Sequence, residues 1–244
     1  MRDGEIDVVL EMAARAPHEV ERALLKRVAD SIQPAMRSVR PLPRTSVLAG
    51  GLVLICSAVA LAGAARAGFN GFEKMGLLER ALIFSTLGML AWVAATEFVN
   101  EMIPGSRRWV SAGALLGMCS AVLVGVFALL FHDYHTDHFV SVGIVCLVTG
   151  VLHAIPAGLL SWLVLRRGFA VNSVSAGLVA GTLAGLAGVG VLELHCANFE
   201  ATHVLVWHTA VVPLSGAAGA LVASWALRFR TGSGAPWARR PPMN

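Results

Sequence analysis

The sequence predicts an all-α, polytopic membrane protein with six transmembrane helices and both termini in the cytoplasm. Hydrophobic residues make up 56% of the 244 positions and charged residues 14%, and the mean hydropathy is +0.70. This composition excludes an ordinary soluble domain. The number of helices follows from six apolar segments without Asp, Glu, Lys or Arg, namely 46–65, 81–96, 109–131, 139–165, 173–192 and 204–227.

Most of these segments are long enough to cross a bilayer, because about 20 helical residues span roughly 30 Å of hydrocarbon. The second segment is short and needs Arg80, Glu97 or Phe98 at its ends. Lipid offers the backbone no hydrogen-bond partner, so we expect every segment to be helical. Glu97 and Glu101 share a face near one end of the second helix, where we expect them to reach lipid headgroups.

The orientation follows from the Lys and Arg residues. All but three of the 19 lie before the first span, in the second and fourth loops, or after the last span. The exceptions are Arg66, Lys74 and Arg80 in the first loop, and the third and fifth loops have none. The positive-inside rule therefore places both termini in the cytoplasm. We expect a multi-pass protein of the bacterial inner membrane. Direct nucleic-acid binding is disfavoured, because the basic side chains are spread over several loops and alternate with acidic ones.

The sequence divides into a cytoplasmic amphipathic-helical segment at 1–45, a transmembrane domain at 46–230 and a disordered cytoplasmic tail at 231–244. Two apolar stripes at helical spacing occur in the first segment, carried by Ile6, Val9, Leu10, Val20, Leu24 and Val28. A segment of this length cannot bury a core by itself, so the stripes predict binding to a partner protein. The alternative is a helix lying on the bilayer surface.

Small residues at every fourth position predict close packing of the fifth and sixth spans. They are Gly177, Gly181 and Gly185 in the fifth span and Ser215, Gly219 and Ala223 in the sixth. Such strips let two helix backbones approach closely in lipid. The intervening loop, which contains Cys196, is then held firmly at the outer face.

Histidines concentrate at the same predicted outer face. The third loop contains His132, His135 and His138, and the region of the fifth loop contains His195, His203 and His208 beside Cys196, with Glu193 and Glu200. Imidazole and thiolate are ligands of zinc and similar metals, and a carboxylate can complete or orient such a site. The spacing matches no standard zinc motif, and the alternative is a set of ordinary interfacial histidines.

The four cysteines fall into two pairs by position. Cys56 and Cys119 lie near the middle of apolar segments, where a thiol behaves as a small buried hydrophobe. Cys146 is about seven residues into its helix, hence roughly 10 Å below the outer face, at which Cys196 lies. The two meet if the fifth loop dips inward, either as thiolate ligands of a divalent metal ion or as a disulfide.

Four stretches together resemble the NrsF family of membrane anti-sigma factors. They are Val39-Arg40-Pro41-Leu42, Cys146 to Arg167 with its Leu-Arg-Arg-Gly end, the glycine-rich fifth span, and Leu194-His195-Cys196 followed by Val206-Trp207-His208. The resemblance implies a protein that holds an extracytoplasmic-function sigma factor at the inner membrane through its cytoplasmic parts. It also implies release of that factor under metal or redox stress through two cysteines, to which Cys146 and Cys196 correspond.

The sequence therefore predicts a non-enzymatic signal transducer, in which Cys146 and Cys196 sense a metal or an oxidant together with His195, His203 and His208. A small-molecule or metal-ion transporter is the alternative, and it requires ligands at the bilayer midplane and broken helices in paired halves. A thiol oxidoreductase requires closely spaced cysteines, and a haem protein requires facing histidines at similar depth. Neither pattern is visible.

Overall fold

A computed structural model describes residues 43–103, 105–134, 138–165 and 172–232, with side chains as far as 226, together with positions 11, 26, 27, 29 and 30. Contacts divide the chain into two units, Met1–Leu42 and Pro43–Asn244, and the long helices belong to the second. Several predicted features lie outside the described residues: Ile6, Val9, Leu10, Val20, Leu24, Val28, His135 and the end of the tail.

The described residues of the second unit form seven helices and their connecting loops. These are α1 (Thr45–Ala67), α2 (Asn70–Lys74), α3 (Leu77–Met102), α4 (Ala112–Leu130), α5 (Phe139–Leu165), α6 (Ser173–His195) and α7, which joins Ala201–His203, a π-helical turn Val204–His208 and Thr209–Gly232. All except α2 are long and apolar enough to cross a membrane. The prediction of an all-α protein with six membrane-spanning helices is confirmed.

Helix α3 extends beyond its predicted ends because its acidic residues have partners within the protein. At its start, the backbone N–H of Gly76 donates to Glu79 over 2.7 Å. At its other end, Glu97 and Glu101 are each only 4% exposed. The expectation that these two carboxylates reach lipid headgroups is wrong.

The two carboxylates instead join α3 to its neighbours. Glu101 accepts a hydrogen bond from the hydroxyl of Ser175 at the start of α6 (2.7 Å) and forms an ion pair with Arg108 in the following loop (3.0 Å). Glu97 accepts from the backbone N–H of Trp109 at 3.3 Å. A buried carboxylate requires such partners, and these contacts fix the α3–α4 loop against the bundle.

Helix α6 is the central helix of the bundle. It packs against α1, α3, α4, α5 and α7, and its residues from Ala176 to Leu194 are buried with the exception of Leu178. Only 22% of the apolar stretch of α4 and 17% of that of α5 is buried, as expected for helices that face lipid. Any group at either end of α6 is therefore positioned by all the surrounding helices.

The predicted glycine strip of α6 is the surface on which α7 packs. A Cβ atom added at Gly177 would lie 2.5 Å from the carbonyl oxygen of Gly219, and one added at Gly181 would overlap the carbonyl oxygen of Ser215. One added at Gly185 would lie 2.8 Å from the Cα atom of Val212. Only glycine permits this approach, and it brings the start of α7 beside the end of α6.

We expect Gly181→Leu to separate α6 from α7, because its side chain collides with backbone that cannot move aside. Overpacking of this kind costs about 1–3 kcal/mol or more. The measurement is the temperature at which the protein in detergent ceases to elute as a monodisperse peak. Gly125→Leu on α4 is the matched control, because a Cβ there meets nothing within 4 Å. Equal melting of the two variants would contradict the assigned contact.

Candidate metal and thiol site

Four side chains from three segments converge at one end of the bundle. Cys146 comes from α5, Cys196 from the loop after α6, and His203 and His208 from α7; one ligand atom of each lies within 4.8 Å of all the others. The two Sγ atoms are 3.5 Å apart, and the Sγ of Cys196 is 3.7 Å from Nε2 of His203. Cys146 is half-buried and the other three are buried. We call these four residues the Cys–His cluster.

Cys196 reaches the depth of Cys146 because the loop after α6 folds inward. The backbone N–H of Cys196 still donates to Leu192 at 2.7 Å, and its side chain is only 7% exposed. Helix α2 covers this loop: a Cβ added at Gly71 would lie 2.5 Å from the carbonyl oxygen of Cys196. On the other side, the ring of Phe199 stacks on Phe131 at 5.3 Å. The depth offset predicted from the sequence is thus removed by the loop.

The π-helical turn brings the two histidines of α7 onto one side of the helix. In a regular α-helix, residues five apart point about 140° away from each other. A π-turn closes its hydrogen bonds between residues five apart, which aligns such a pair. His203 and His208 are five apart across Val204–His208, and their ring centroids are 5.2 Å from each other. Pro213, in the turn after the π-helical turn, has no backbone N–H to donate, so the regular hydrogen bonding of the helix is interrupted there as well.

A buried carboxylate orients His208. Nδ1 of His208 donates to Glu193 over 2.7 Å, and both side chains are fully buried. This bond leaves Nε2 of His208 without a hydrogen-bond partner among the described residues. A histidine that ligates a metal typically donates its other ring nitrogen to a carboxylate in this way. The unpartnered Nε2 is therefore available as a ligand atom facing the two thiols.

The spacing of the Cys–His cluster fits a small tetrahedral metal ion. With metal–sulfur distances of about 2.3 Å and metal–nitrogen distances of about 2.0–2.1 Å, two sulfur ligands are roughly 3.8 Å apart, and a sulfur and a nitrogen roughly 3.6 Å. The corresponding separations here are 3.5 Å and 3.7 Å. Two thiolates and two imidazoles favour zinc and related soft or borderline ions.

The sequence model of the NrsF family, described as negative regulator of sigma F, matches residues 28–229. The chain belongs to the NrsF family. Its role is accordingly that of an anti-sigma factor, and its partner is a sigma factor. No curated protein and no solved structure matches the chain significantly. Within this NrsF-family protein, the Cys–His cluster lies in the matched region.

The other predicted site residues lie elsewhere. Nδ1 of His195 donates to the carbonyl oxygen of Gly68 at 3.3 Å, outside the Cys–His cluster. His132 and His138 are exposed in the α4–α5 loop. Cys56 and Cys119 are buried and lie apart from the cluster. Glu193, which the sequence places in a loop, is inside α6, where it contacts His208.

The surroundings of the Cys196 thiol raise its pKa above the ordinary value. The hydrogen bond with Cys146 raises the pKa of Cys196, and burial raises it further, whereas the side chains of His203 and His208 lower it by less. A thiol must lose its proton to ligate a metal, so binding releases protons.

We expect the purified NrsF-family protein to bind one Co²⁺ ion in a tetrahedral thiolate site, seen as a visible absorption band that Zn²⁺ abolishes. Cys196→Ser and His208→Ala each remove a ligand. Both should weaken binding by more than the roughly 10- to 100-fold that loss of an outer-shell partner causes. Cys56→Ser and Cys119→Ser are matched controls and should bind normally. A band that persists in Cys196→Ser would exclude the assigned ligand set.

We expect Glu193→Gln to lower the affinity for Zn²⁺ by about 10- to 100-fold, because a neutral amide holds the His208 ring without increasing its basicity. Competition with a chelating dye measures the affinity. Glu200→Gln is the control, since the Glu200 carboxylate contacts Asn198 in the same loop rather than a histidine. Equal affinities in the two variants would show that Glu193 does not support the site.

Proposed function

We propose that this protein holds an extracytoplasmic-function sigma factor at the inner membrane and releases it when the Cys–His cluster binds a divalent metal ion or is oxidised. Membership of the NrsF family supports the sigma factor as partner. The convergence of two thiols and two imidazoles, with Glu193 behind His208, is the observation that supports sensing. The proposed role is that of a non-enzymatic transducer.

The proposed orientation places the Cys–His cluster at the periplasmic face and the termini in the cytoplasm. The arginine distribution supports it, since the loops at the cluster end of α5 and α6 contain no Lys or Arg. The amino-terminal stripes of Ile6, Val9, Leu10, Val20, Leu24 and Val28 then lie on the side where a sigma factor is found. An apolar helix face of this kind suits a groove on a partner protein.

Binding at the Cys–His cluster changes the packing of three helices together. Its ligands come from α5, α7 and the end of α6, so drawing them around an ion shifts these elements relative to one another. A ligand drives such a shift only by binding one arrangement more tightly than the other. A coupling of about 1–3 kcal/mol between the two sites is typical of allosteric proteins.

Oxidation is a second way to change the same cluster. Cys146 and Cys196 would each lose a proton and together give two electrons to an external oxidant, forming a disulfide. Their sulfur atoms would move from 3.5 Å to about 2.05 Å apart. A disulfide requires only the two thiols, whereas two imidazoles with Glu193 behind His208 supply the further ligands of a metal site, so their presence favours a metal as the primary signal.

The cluster position favours sensing over the alternative of a transporter. Cys196 and Glu193 lie at one end of α6, and His203 and His208 at the first turns of α7. A transporter binds its substrate near the midplane, where it can be released to either side.

We expect Cys146→Ser and Cys196→Ser to repress the sigma-dependent promoter normally but to abolish its induction by zinc or cadmium salts. A transcriptional reporter in cells measures both quantities. Cys56→Ser and Cys119→Ser are the controls, because these thiols are buried away from the cluster. Undiminished induction in the first two variants would exclude a thiol-based sensor while leaving the role as an anti-sigma factor intact.

We expect a chain that lacks residues 1–45 to insert into the membrane but to lose capture of the sigma factor, since the apolar stripes are removed. Co-purification from detergent-solubilised membranes measures capture. A chain that lacks 231–244 is the control and should retain the partner. Undiminished capture by the first truncation would show that the sigma factor binds the loops and not residues 1–45.

A further inference from the structure

An apolar cavity of about 350 Å³ lies between α1, α3 and α6, away from the Cys–His cluster. Phe72 and Phe84 line its end nearest the α1–α3 loop, and Val53 and Ala91 line it deeper in the bundle. Small residues create the space, because a Cβ added at Gly88 meets no atom within 4 Å. The cavity is open at its side, and its lining suits a hydrocarbon chain.

A cation lies at the end of the same cavity. Arg80, Phe84, Leu87 and Ala91 share one face of α3, since they are spaced by three or four residues. The last three line the cavity, so Arg80 lies one turn beyond its end. Its guanidinium stacks on the ring of Phe72 at 4.3 Å from the centroid and donates to the carbonyl oxygen of Glu73 at 3.2 Å. Nε of Arg80 is buried without a hydrogen-bond partner in the described chain.

Basic side chains lie near this end of the cavity, although the rest of that side of the bundle has few. Arg66 at the end of α1, Lys74 at the end of α2 and Arg80 at the start of α3 are the Lys and Arg residues on the Cys196 side of the described bundle. The nearby carboxylate of Glu79 is engaged by the backbone N–H of Gly76 at 2.7 Å. A ligand matching both features has a long apolar chain and an anionic head that accepts charged hydrogen bonds from a guanidinium.

We propose that this cavity binds one anionic phospholipid, with an acyl chain between α1, α3 and α6 and the phosphate on Arg80. The acyl chain gains little over bulk lipid, because both environments are apolar. Selection therefore depends on the charged head and on the shape of the cavity. The bound lipid contacts Leu186, Ala187 and Gly190 of the central helix, and it fills the gap between that helix and α1 and α3.

The test is native mass spectrometry of the full-length protein in mild detergent with added dioleoyl phosphatidylglycerol or dioleoyl phosphatidylcholine. We expect one retained phosphatidylglycerol adduct, favoured about 5-fold or more over phosphatidylcholine. Both lipids offer a phosphate to Arg80, but the choline ammonium places a positive charge beside the guanidinium, and a net anionic headgroup gains about 1 kcal/mol per nearby basic side chain. Gly88→Leu should lose retention of both lipids because it fills the cavity. Arg80→Gln should lose the preference for phosphatidylglycerol and keep weak binding.

Two variants outside the cavity are the matched controls. A Cβ at Gly117 on α4 also meets nothing within 4 Å, and Arg66 is exposed outside the cavity, so Gly117→Leu and Arg66→Gln should behave like the wild type. Helix content and elution volume establish that each variant is folded. Equal retention in the wild type and Gly88→Leu would assign the adducts to lipid on the outer surface of the bundle. Equal binding of the two lipids by the wild type would exclude the Arg80 headgroup site. Either result overturns the proposal.

Discussion

The backbone contact between α6 and α7 determines where three of the four residues of the Cys–His cluster lie, namely Cys196, His203 and His208. In lipid, apolar side chains gain little from burial against each other, so close van der Waals packing has to hold the helices together. Gly177, Gly181 and Gly185 provide that packing from the contact with Gly219 to the contact with Val212. The interface fixes both ends of the short loop between the two helices. This constraint places Cys196 against α5.

The second constraint is the burial of Glu193 and His208. An ionisable side chain within an apolar bundle is costly unless it has a partner, and such residues generally mark function. Glu193 and His208 satisfy each other at 2.7 Å, yet this leaves one oxygen of Glu193 and Nε2 of His208 without partners in the described part of the chain. An arrangement needed only for stability would satisfy both groups or replace them with apolar residues. The incomplete network is explained if Nε2 has a further ligand.

The sequence predicts the helices well because their signal is local: long uncharged segments admit no other structure in lipid, and glycines every fourth residue identify one packing face. It also identifies Cys146, Cys196, His203 and His208 as candidates, although within a larger set. The sequence does not show that His203 belongs to the cluster and His195 does not. Their positions depend on the π-helical turn and on the contact of His195 with Gly68. The sequence also fails for Glu97 and Glu101, whose partners Trp109, Arg108 and Ser175 become neighbours only in the folded bundle.

Helix α6 connects the Cys–His cluster to the opposite end of the bundle. Glu193 lies near its last turn and Ser175 near its first, about 27 Å apart at 1.5 Å per residue. Ser175 is bound to Glu101, which also holds Arg108 in the α3–α4 loop. Because packed interfaces move between discrete arrangements rather than deforming continuously, a displacement of α6 at the cluster must be accommodated at these contacts or break them. For the proposed release of a sigma factor, the Glu101 contacts are thus the place where a change at the cluster reaches the other membrane face.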